Sequence, residues 1–176
     1  MSGIIKRLGL ALAAGFLLCG VVGAEPAHPR LDLHYSPAEN LEAIDVATID
    51  GAGETLDVAA YVLTDVAVIE AMTNAAQRGV KVRLFREPSQ DRARGQTIDA
   101  ALAALLAEPT VFVKWNHQGA WTHLKAYAVD GKVLRFGSAN FSATGEKRQD
   151  NDLLLTDDRE LVQSFENEFE TLWSRP

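Results

Sequence analysis

The chain has 176 residues, of which 47% are hydrophobic and 23% are charged, and its formal net charge is −7 at pH 7. This length and composition are typical of one globular domain with an apolar core, and they exclude a chain that is disordered throughout. The acidic balance has the wrong sign for a protein that binds polyanions over its whole surface.

Residues 1–24 have the pattern of a secretory signal peptide. Lys6 and Arg7 make a basic start, an apolar stretch follows at 8–22, and the small residues that end at Ala24 provide a cleavage site. We therefore expect cleavage after Ala24 and a periplasmic or secreted protein. A retained membrane anchor is the alternative, but an apolar stretch of about 15 residues is short for a bilayer.

Cys19 is the only cysteine of the chain and lies within the signal-like segment. The part beyond Ala24 therefore has no thiol and can form no disulfide. Lipid attachment at Cys19 is disfavoured because Leu18 precedes it where a small residue is expected. Cleavage would also remove two basic residues, which leaves 15 basic against 24 acidic residues and changes the formal charge from −7 to −9.

The remaining sequence alternates strand and helix patterns and then continues with consecutive strands and a last helix. The patterns predict, in chain order, a strand at 31–35, a helix at 39–49, a strand at 56–63, a helix at 66–78, a strand at 80–85, a helix at 97–107, strands at 111–114, 124–129, 133–136 and 153–156, and a helix at 158–173. Thr64 and Asp65 are candidate caps for the second helix. The last helix is expected to bury one stripe of Leu161, Phe165, Phe169 and Leu172.

This order of elements predicts a single α/β domain over residues 25–176. Asp130-Gly131 is a strong signal for a hairpin between the strands at 124–129 and 133–136. Helix and strand alternation followed by antiparallel strands indicates an α/β/α sandwich with a mixed β-sheet and helices on both faces.

The strongest candidates for catalytic residues lie between His123 and Asn140. His123 and Lys125 are two apart where the strand predicted at 124–129 begins, and residues two apart in extended chain project to the same side. The hairpin returns the turn at 137–140 to that side. Lys125 can neutralise a phosphoryl group, Ser138 and Asn140 can donate hydrogen bonds to it, and a neutral His123 can attack phosphorus. An isolated His-x-Lys pair, in contrast, would indicate only a polar strand.

The same stretch resembles the signature of the phospholipase D superfamily, His-x-Lys-x4-Asp-x6-Gly-Ser-x-Asn. The six specified places are occupied here by His123, Lys125, Asp130, Gly137, Ser138 and Asn140. Segments 33–37, 59–61, 75–82 and 140–142 also resemble the small secreted bacterial endonucleases that carry a single copy of this motif. The likeness thus extends over nearly all of the chain beyond the signal-like segment.

The resemblance implies a covalent phosphohistidine on His123, with Lys125 and Asn140 holding the phosphate. It also implies structural roles for two other motif residues, Asp130 and Gly137.

One position departs from the family pattern. The family usually places a glutamate about 11 residues beyond the motif asparagine, where it orients the nucleophilic imidazole. The corresponding residue here is Asn151, with Asp150 and Asp152 on either side. Any carboxylate that bonds the imidazole would fix its tautomer, and which of the three residues orients His123 stays open.

A single histidine cannot attack phosphorus and protonate the leaving group from the opposite side. A two-fold homodimer would supply a second His123 as the acid. The alternative is a monomer in which His117 protonates the leaving group. No metal or other cofactor is expected, because no two histidines have ligand spacing, and activity should therefore survive chelation.

We expect nucleic acid as the substrate, phospholipid as the alternative, and a non-catalytic binding module as a distant third. Trp115 and Trp121 flank the motif and could contact either nucleobases or a lipid interface. A local basic series could follow backbone phosphates, although it could equally be a solvated surface: Lys81, Arg83, Arg86, Arg92 and Arg94.

Overall fold

The computed structural model describes residues 28–90, 95–117 and 119–176. The predicted signal peptide and Cys19 lie outside the described residues, as do Arg92 and Arg94 of the basic series. None of the described helices combines the length and apolar character that crossing a bilayer requires.

The described strands form one mixed sheet with the order β1-β7-β6-β5-β2-β3-β4. Strands β2, β3 and β4 are parallel to one another, and the remaining neighbours are antiparallel. The strands are β1 (Leu31–Ser36), β2 (Thr55–Ala60), β3 (Lys81–Arg86), β4 (Val111–Trp115), β5 (Lys125–Val129), β6 (Val133–Gly137) and β7 (Asn151–Thr156).

Side-chain capping begins four of the helices. Asp65 Oδ1 accepts a hydrogen bond from Ala67 N at 3.0 Å, as expected from the sequence, and Asp158 Oδ1 accepts one from Glu160 N at 2.8 Å. Asn40 and Ser142 cap two others in the same way. The helices are α1 (Leu41–Asp50), α2 (Val66–Gln77), α3 (Gln96–Ala107), α4 (Ala143–Lys147) and α5 (Arg159–Trp173), and a 3-10 turn spans Pro88–Gln90.

The predicted sandwich is confirmed, with helices on both faces of the sheet. Alternate residues of β2 face opposite sides: Val58 belongs to the core that α1, α2 and α3 cover, whereas Ala59 packs against Phe169 and Leu172 of α5. One face is thus covered by several helices and the other by α5 alone.

Three details of the prediction are wrong. Strand β2 ends at Ala60 and not at residue 63. In α5, Leu161 is 40% exposed, and Val162 takes its place in the buried stripe at 3%. Helix α4 was not predicted, because Thr144 and Gly145 favour a loop over a helix.

Because α5 covers only part of its face, an apolar patch is left exposed on the β1 side. Leu31, Leu33 and Tyr35 of β1 are 59%, 49% and 54% exposed. Their side chains share one face because they alternate along the strand. Leu33 pairs with Leu154 of β7, which pairs with Phe136 of β6. We call Leu31, Leu33, Tyr35 and Phe136 the edge patch.

Candidate active site

His123 and Lys125 meet at the start of β5. The Lys125 ammonium lies 2.8 Å from His123 Nδ1, 3.1 Å from its Nε2 and 2.7 Å from its main-chain oxygen. His123 is exposed, whereas Lys125 is buried. Burial, and then the positive charge of Arg135, lower the pKa of Lys125. The structure thus brings the two residues together as the sequence predicts.

An aromatic ring completes the surroundings of this pair. The rings of Tyr61 and His123 have centroids 4.3 Å apart, and the Lys125 ammonium lies 4.9 Å from the Tyr61 centroid. The main-chain N–H of Tyr61 donates to Leu124 O at 2.8 Å. This bond continues the pairing of β2 with β5 by one residue and holds Tyr61 beside the nucleophile.

The loop before His123 is fixed by a buried carboxylate that the sequence analysis missed. Glu87 Oε2 accepts hydrogen bonds from Asn116 Nδ2 at 3.0 Å and from Thr122 N at 3.1 Å. Burial alone would raise the pKa of Glu87, but the hydrogen bonds from Asn116 and Thr122 outweigh burial and hold it below its ordinary value. Glu87 therefore stays charged and anchors the residue next to His123.

Ser138 and Asn140 follow β6 on the returning arm of the hairpin. Ser138 Oγ donates to Asn151 Oδ1 at 3.1 Å and accepts from Asp152 N at 3.0 Å. Within the described chain the Asn140 side chain forms no hydrogen bond, and its Oδ1 is buried without a partner. Oδ1 can only accept, so the Nδ2 group, which has no partner among the described residues either, is the part of this side chain that can donate to an anionic ligand.

Gly137 is required by a close approach of two strands. A Cβ atom there would lie 2.4 Å from Asp152 O. The absence of a side chain thus lets β6 approach β7 at the point where the main chain turns toward Ser138.

A fully buried ion pair supports both arms of the hairpin. Arg135 bonds Asp45 through Nε at 3.0 Å and Nη2 at 2.9 Å, and the Tyr127 hydroxyl donates to the same carboxylate at 2.9 Å. Arg135 Nη1 also donates to Lys125 O at 2.8 Å and Ala139 O at 3.2 Å. One guanidinium nitrogen therefore ties the strand that carries Lys125 to the turn that carries Asn140.

A second acidic group lies next to this ion pair. Carboxylate oxygens of Glu42, Asp65 and Glu146 lie within 4.8 Å of one another and form the group in the described chain that could hold a metal ion. Burial, together with the charges of Asp45 and Asp65, raises the pKa of Glu146 to about 10. Glu146 is therefore protonated at neutral pH, and both of its carboxyl oxygens are buried without a hydrogen-bond partner among the described residues.

The structure does not show a carboxylate on His123. Among the described residues, no hydrogen bond joins His123 to Asp150, Asn151 or Asp152. Asn151 instead bonds Ser138 and donates through Nδ2 to Gly145 O at 2.8 Å.

Neither His117 nor Asp130 is hydrogen-bonded to His123 or Lys125 in the described part of the chain. His117 is exposed, and no hydrogen bond joins it to either residue within the described ranges. Asp130 lies in the hairpin turn at the far end of β5, where its Oδ1 accepts from Glu54 N at 2.8 Å and Thr55 N at 2.9 Å.

The basic series on β3 does not form a phosphate-binding track. The Arg83 guanidinium bonds Asp57 and Glu170, each at 2.6 Å or less. Arg86 is 2% exposed and packs on Trp115, with its guanidinium carbon 5.0 Å from a ring centroid. The prediction is therefore wrong for Arg83 and Arg86, which are used within the fold, and it stays a prediction for Arg92 and Arg94, which lie outside the described residues.

Trp121 is the exposed aromatic residue beside the nucleophile. Its side chain is 70% exposed, and it lines a cleft of about 530 Å³ together with His123, Leu124, Glu168 and Arg175. Trp115, in contrast, packs against Arg86 and away from this cleft.

Comparisons with known proteins identify the family of this chain. The family described as "Cardiolipin synthase, PLD-like domain" matches residues 46–173. Phospholipase D of Rickettsia felis is 30% identical over 142 residues, which cover 81% of this chain and 68% of the relative. The mitochondrial cardiolipin hydrolase of Xenopus tropicalis is 28% identical over 69% of this chain and 56% of the relative.

Solved structures share the fold at lower sequence identity. Nuc from Salmonella typhimurium, a phospholipase D family member, superposes with a TM-score of 0.74 at 22% identity over 83% of this chain and 95% of Nuc. NucT from Helicobacter pylori gives 0.72 at 21% identity over 83% and 96% of the two chains. The chain therefore belongs to the PLD-like domain family, as a phosphodiester hydrolase of the phospholipase D superfamily.

Proposed function

We propose that the imidazole of His123 attacks phosphorus in a phosphodiester and forms a phosphohistidine that water then hydrolyses. The observation that carries this proposal is the contact of His123 with the Lys125 ammonium. In the first step a phosphorus–nitrogen bond forms and the bond to the leaving oxygen breaks. In the second step water replaces the histidine, so the net reaction is hydrolysis without a metal ion.

Lys125 and Asn140 bind the phosphate in this mechanism. Lys125 neutralises a non-bridging oxygen, and the Nδ2 group of Asn140 donates a hydrogen bond to the phosphate. Ser138 contributes by holding the turn against Asp152 N. The buried Arg135 bonds the main-chain oxygens of both Lys125 and Ala139. It therefore fixes the distance between the strand that carries Lys125 and the turn that carries Asn140.

The leaving oxygen needs a proton, and we propose that a second copy of the chain supplies it. The edge patch supports a homodimer because it leaves large apolar side chains exposed on one face. The patch adjoins the proposed active site, since Tyr35 pairs with Asp152 and Asp152 N bonds Ser138. His123 of the second copy would act first as acid and then as base for water.

We propose nucleic acid as the substrate, with phospholipid as the alternative. The exposed Trp121 can stack on a nucleobase next to the scissile phosphate. Nuc and NucT match this chain over nearly their whole length, which favours a small enzyme of the same kind. The named phospholipase D and cardiolipin hydrolase relatives favour the lipid alternative.

We further propose that the enzyme acts in the periplasm or outside the cell. The basic and apolar segments before Ala24 support export and cleavage there. Expression of the full chain with its own N-terminus, followed by intact-mass measurement of the periplasmic fraction, tests this proposal. A product that begins at Glu25 is expected, and an uncleaved cytoplasmic chain would contradict it.

The activity assay uses the purified chain from Glu25 in EDTA. Single- and double-stranded DNA, RNA and phosphatidylcholine vesicles are offered separately. Cleavage of nucleic acid is expected, and His123→Ala should lower the rate by at least about a thousandfold. Mass spectrometry of an alkaline-quenched reaction should show phosphate on His123. Cleavage of lipid alone would replace the substrate, and activity that needs an added divalent ion would refute the mechanism.

Mixing wild-type chains with His123→Ala chains tests the dimer. If each active site needs two copies of His123, equal mixing leaves about a quarter of the activity of the same total amount of wild type, because only wild-type pairs are active. A monomer would retain about a half. Leu33→Lys should also shift the protein from dimer to monomer in sedimentation and lower activity in parallel.

A further inference from the structure

The His123 ring is held by few groups in the described structure. In the described part of the chain its ring contacts the Lys125 ammonium and the ring of Tyr61, and His123 lines a cleft with Trp121 and Glu168. No carboxylate among the described residues bonds either ring nitrogen. An imidazole that must attack phosphorus along one line needs a fixed orientation, because small misplacements of reacting atoms cost large factors in rate.

Lys125 cannot provide that orientation during the reaction. Its ammonium contacts both His123 nitrogens, including the one whose lone pair would attack phosphorus. Lys125 is also the cation that neutralises the phosphate in the proposed mechanism. When the ammonium turns to a phosphate oxygen, it leaves the imidazole, and the ring of Tyr61 is the recorded contact that remains.

Both the main chain and the ring of Tyr61 are suited to orienting the His123 imidazole. The Tyr61 N–H bonds Leu124 O at 2.8 Å, so the residue is fixed to the strand that follows His123. The centroid of its ring lies 4.3 Å from that of the imidazole at an interplanar angle of 50°, slightly closer than the separation of about 4.5–7 Å that is typical of aromatic pairs. The Lys125 ammonium lies 4.9 Å from the same ring, which gives it a cation–π contact next to the phosphate site.

We propose that Tyr61 is the positioning residue for the nucleophile: its ring fixes the plane of the His123 imidazole while Lys125 turns to the phosphate. The inference rests on the proposed attack by His123. The hydroxyl of Tyr61 has no recorded hydrogen bond within the described chain, so the ring alone carries the effect. The role that a hydrogen-bonded carboxylate plays for other catalytic histidines is thus taken here by an aromatic contact.

The test compares Tyr61→Phe, which keeps the ring, with Tyr61→Leu, which removes it. The matched control is Phe112→Leu, since Phe112 is an exposed aromatic residue on β4 with the Lys81 ammonium 5.9 Å from its centroid. The substrate is bis(4-nitrophenyl) phosphate, whose leaving group needs no acid, so that the rate reports the attack on phosphorus.

For Tyr61→Leu we expect kcat to fall by about 10- to 100-fold while KM changes by less than about threefold. Tyr61→Phe and Phe112→Leu should stay within about twofold of wild type. A Tyr61→Leu enzyme with wild-type kcat, or a Tyr61→Phe enzyme as slow as Tyr61→Leu, would overturn the inference.

A second measurement does not depend on activity. In proton NMR spectra the ring of Tyr61 should shift the His123 ring signals upfield and give cross-relaxation between the two rings. Both effects should persist in Tyr61→Phe and disappear in Tyr61→Leu, and their absence in the wild type would overturn the contact itself. A wild type that shows the contact but cleaves no phosphodiester would instead refute the proposed function.

Discussion

Replacing Asp45 by asparagine keeps the shape of the side chain and removes the charge that faces Arg135. Both side chains are 0% exposed, and two of the three hydrogen bonds to the carboxylate come from the guanidinium. In Asp45→Asn one oxygen becomes an NH₂ group, so a donor faces the Arg135 guanidinium in either orientation of the amide, and in one orientation it also faces the Tyr127 hydroxyl. Removing one partner of a buried ion pair costs about 3–5 kcal/mol, because the other charge stays buried without compensation.

Equilibrium urea unfolding at pH 7, followed by tryptophan fluorescence, measures this loss. Asp50→Asn is the control, since it makes the same chemical change in the same helix. Asp50 lies 3.9 Å from Arg78, and the two side chains are 50% and 41% exposed, so its loss should stay below about 0.5 kcal/mol. Equal losses for the two variants would refute the view that the buried pair supports the hairpin.

Three further changes test other parts of the structure. Glu146→Gln should become more stable relative to wild type as the pH rises from 5 to 9. Burial and the charges of Asp45 and Asp65 raise the pKa of Glu146 to about 10, so above the unfolded value of about 4.5 the wild type must take up a proton to fold. A difference in melting temperature that is independent of pH would contradict this. Asp130→Asn should cost about 1–3 kcal/mol at pH 7. Burial alone would raise the pKa of Asp130, but hydrogen bonds from the N–H groups of Thr55, Glu54 and Gly53 outweigh burial and lower it. The difference in unfolding free energy between wild type and Asp130→Asn should therefore shrink in acid. A loss that persists at low pH in urea titrations would refute the role of the charge. Gly137→Ala should cost about 1–3 kcal/mol, because its Cβ would lie 2.4 Å from Asp152 O, and unchanged unfolding and unchanged amide exchange at Leu153 would contradict it.

The fold could be predicted from the sequence because its signals are local. Alternation, helical spacing and the Asp130-Gly131 turn identify the strands and most helices within a few residues. Helix α4 was not predicted because its stability depends on packing and on the Ser142 cap. Ser142 Oγ accepts a hydrogen bond from Gly145 N at 3.1 Å. The buried stripe of α5 was misplaced by one position because Leu161 and Val162 are both apolar, and only the sheet decides which one faces inward.

The candidate catalytic residues could also be predicted, but the residues that hold them in place could not. His123, Lys125 and Asn140 stand at motif spacing, whereas Arg135 is an ordinary strand arginine until the fold places Asp45 opposite it. A signal for Asp45 did exist, since Leu41, Asp45 and Ile49 are the buried residues of α1 at four-residue spacing. Tyr61 and Glu87 come from strand ends that are distant in sequence, and no local pattern connects them with His123.

The position of β1 has a consequence for how the chain folds. Among the described strands β1 pairs with β7 alone, and the register joins Leu31 to Thr156 across most of the sequence. Contacts between such distant residues form slowly, since a long loop must close before any hydrogen bond forms. The first strand therefore has no place in the sheet until β7, the last one, has been made.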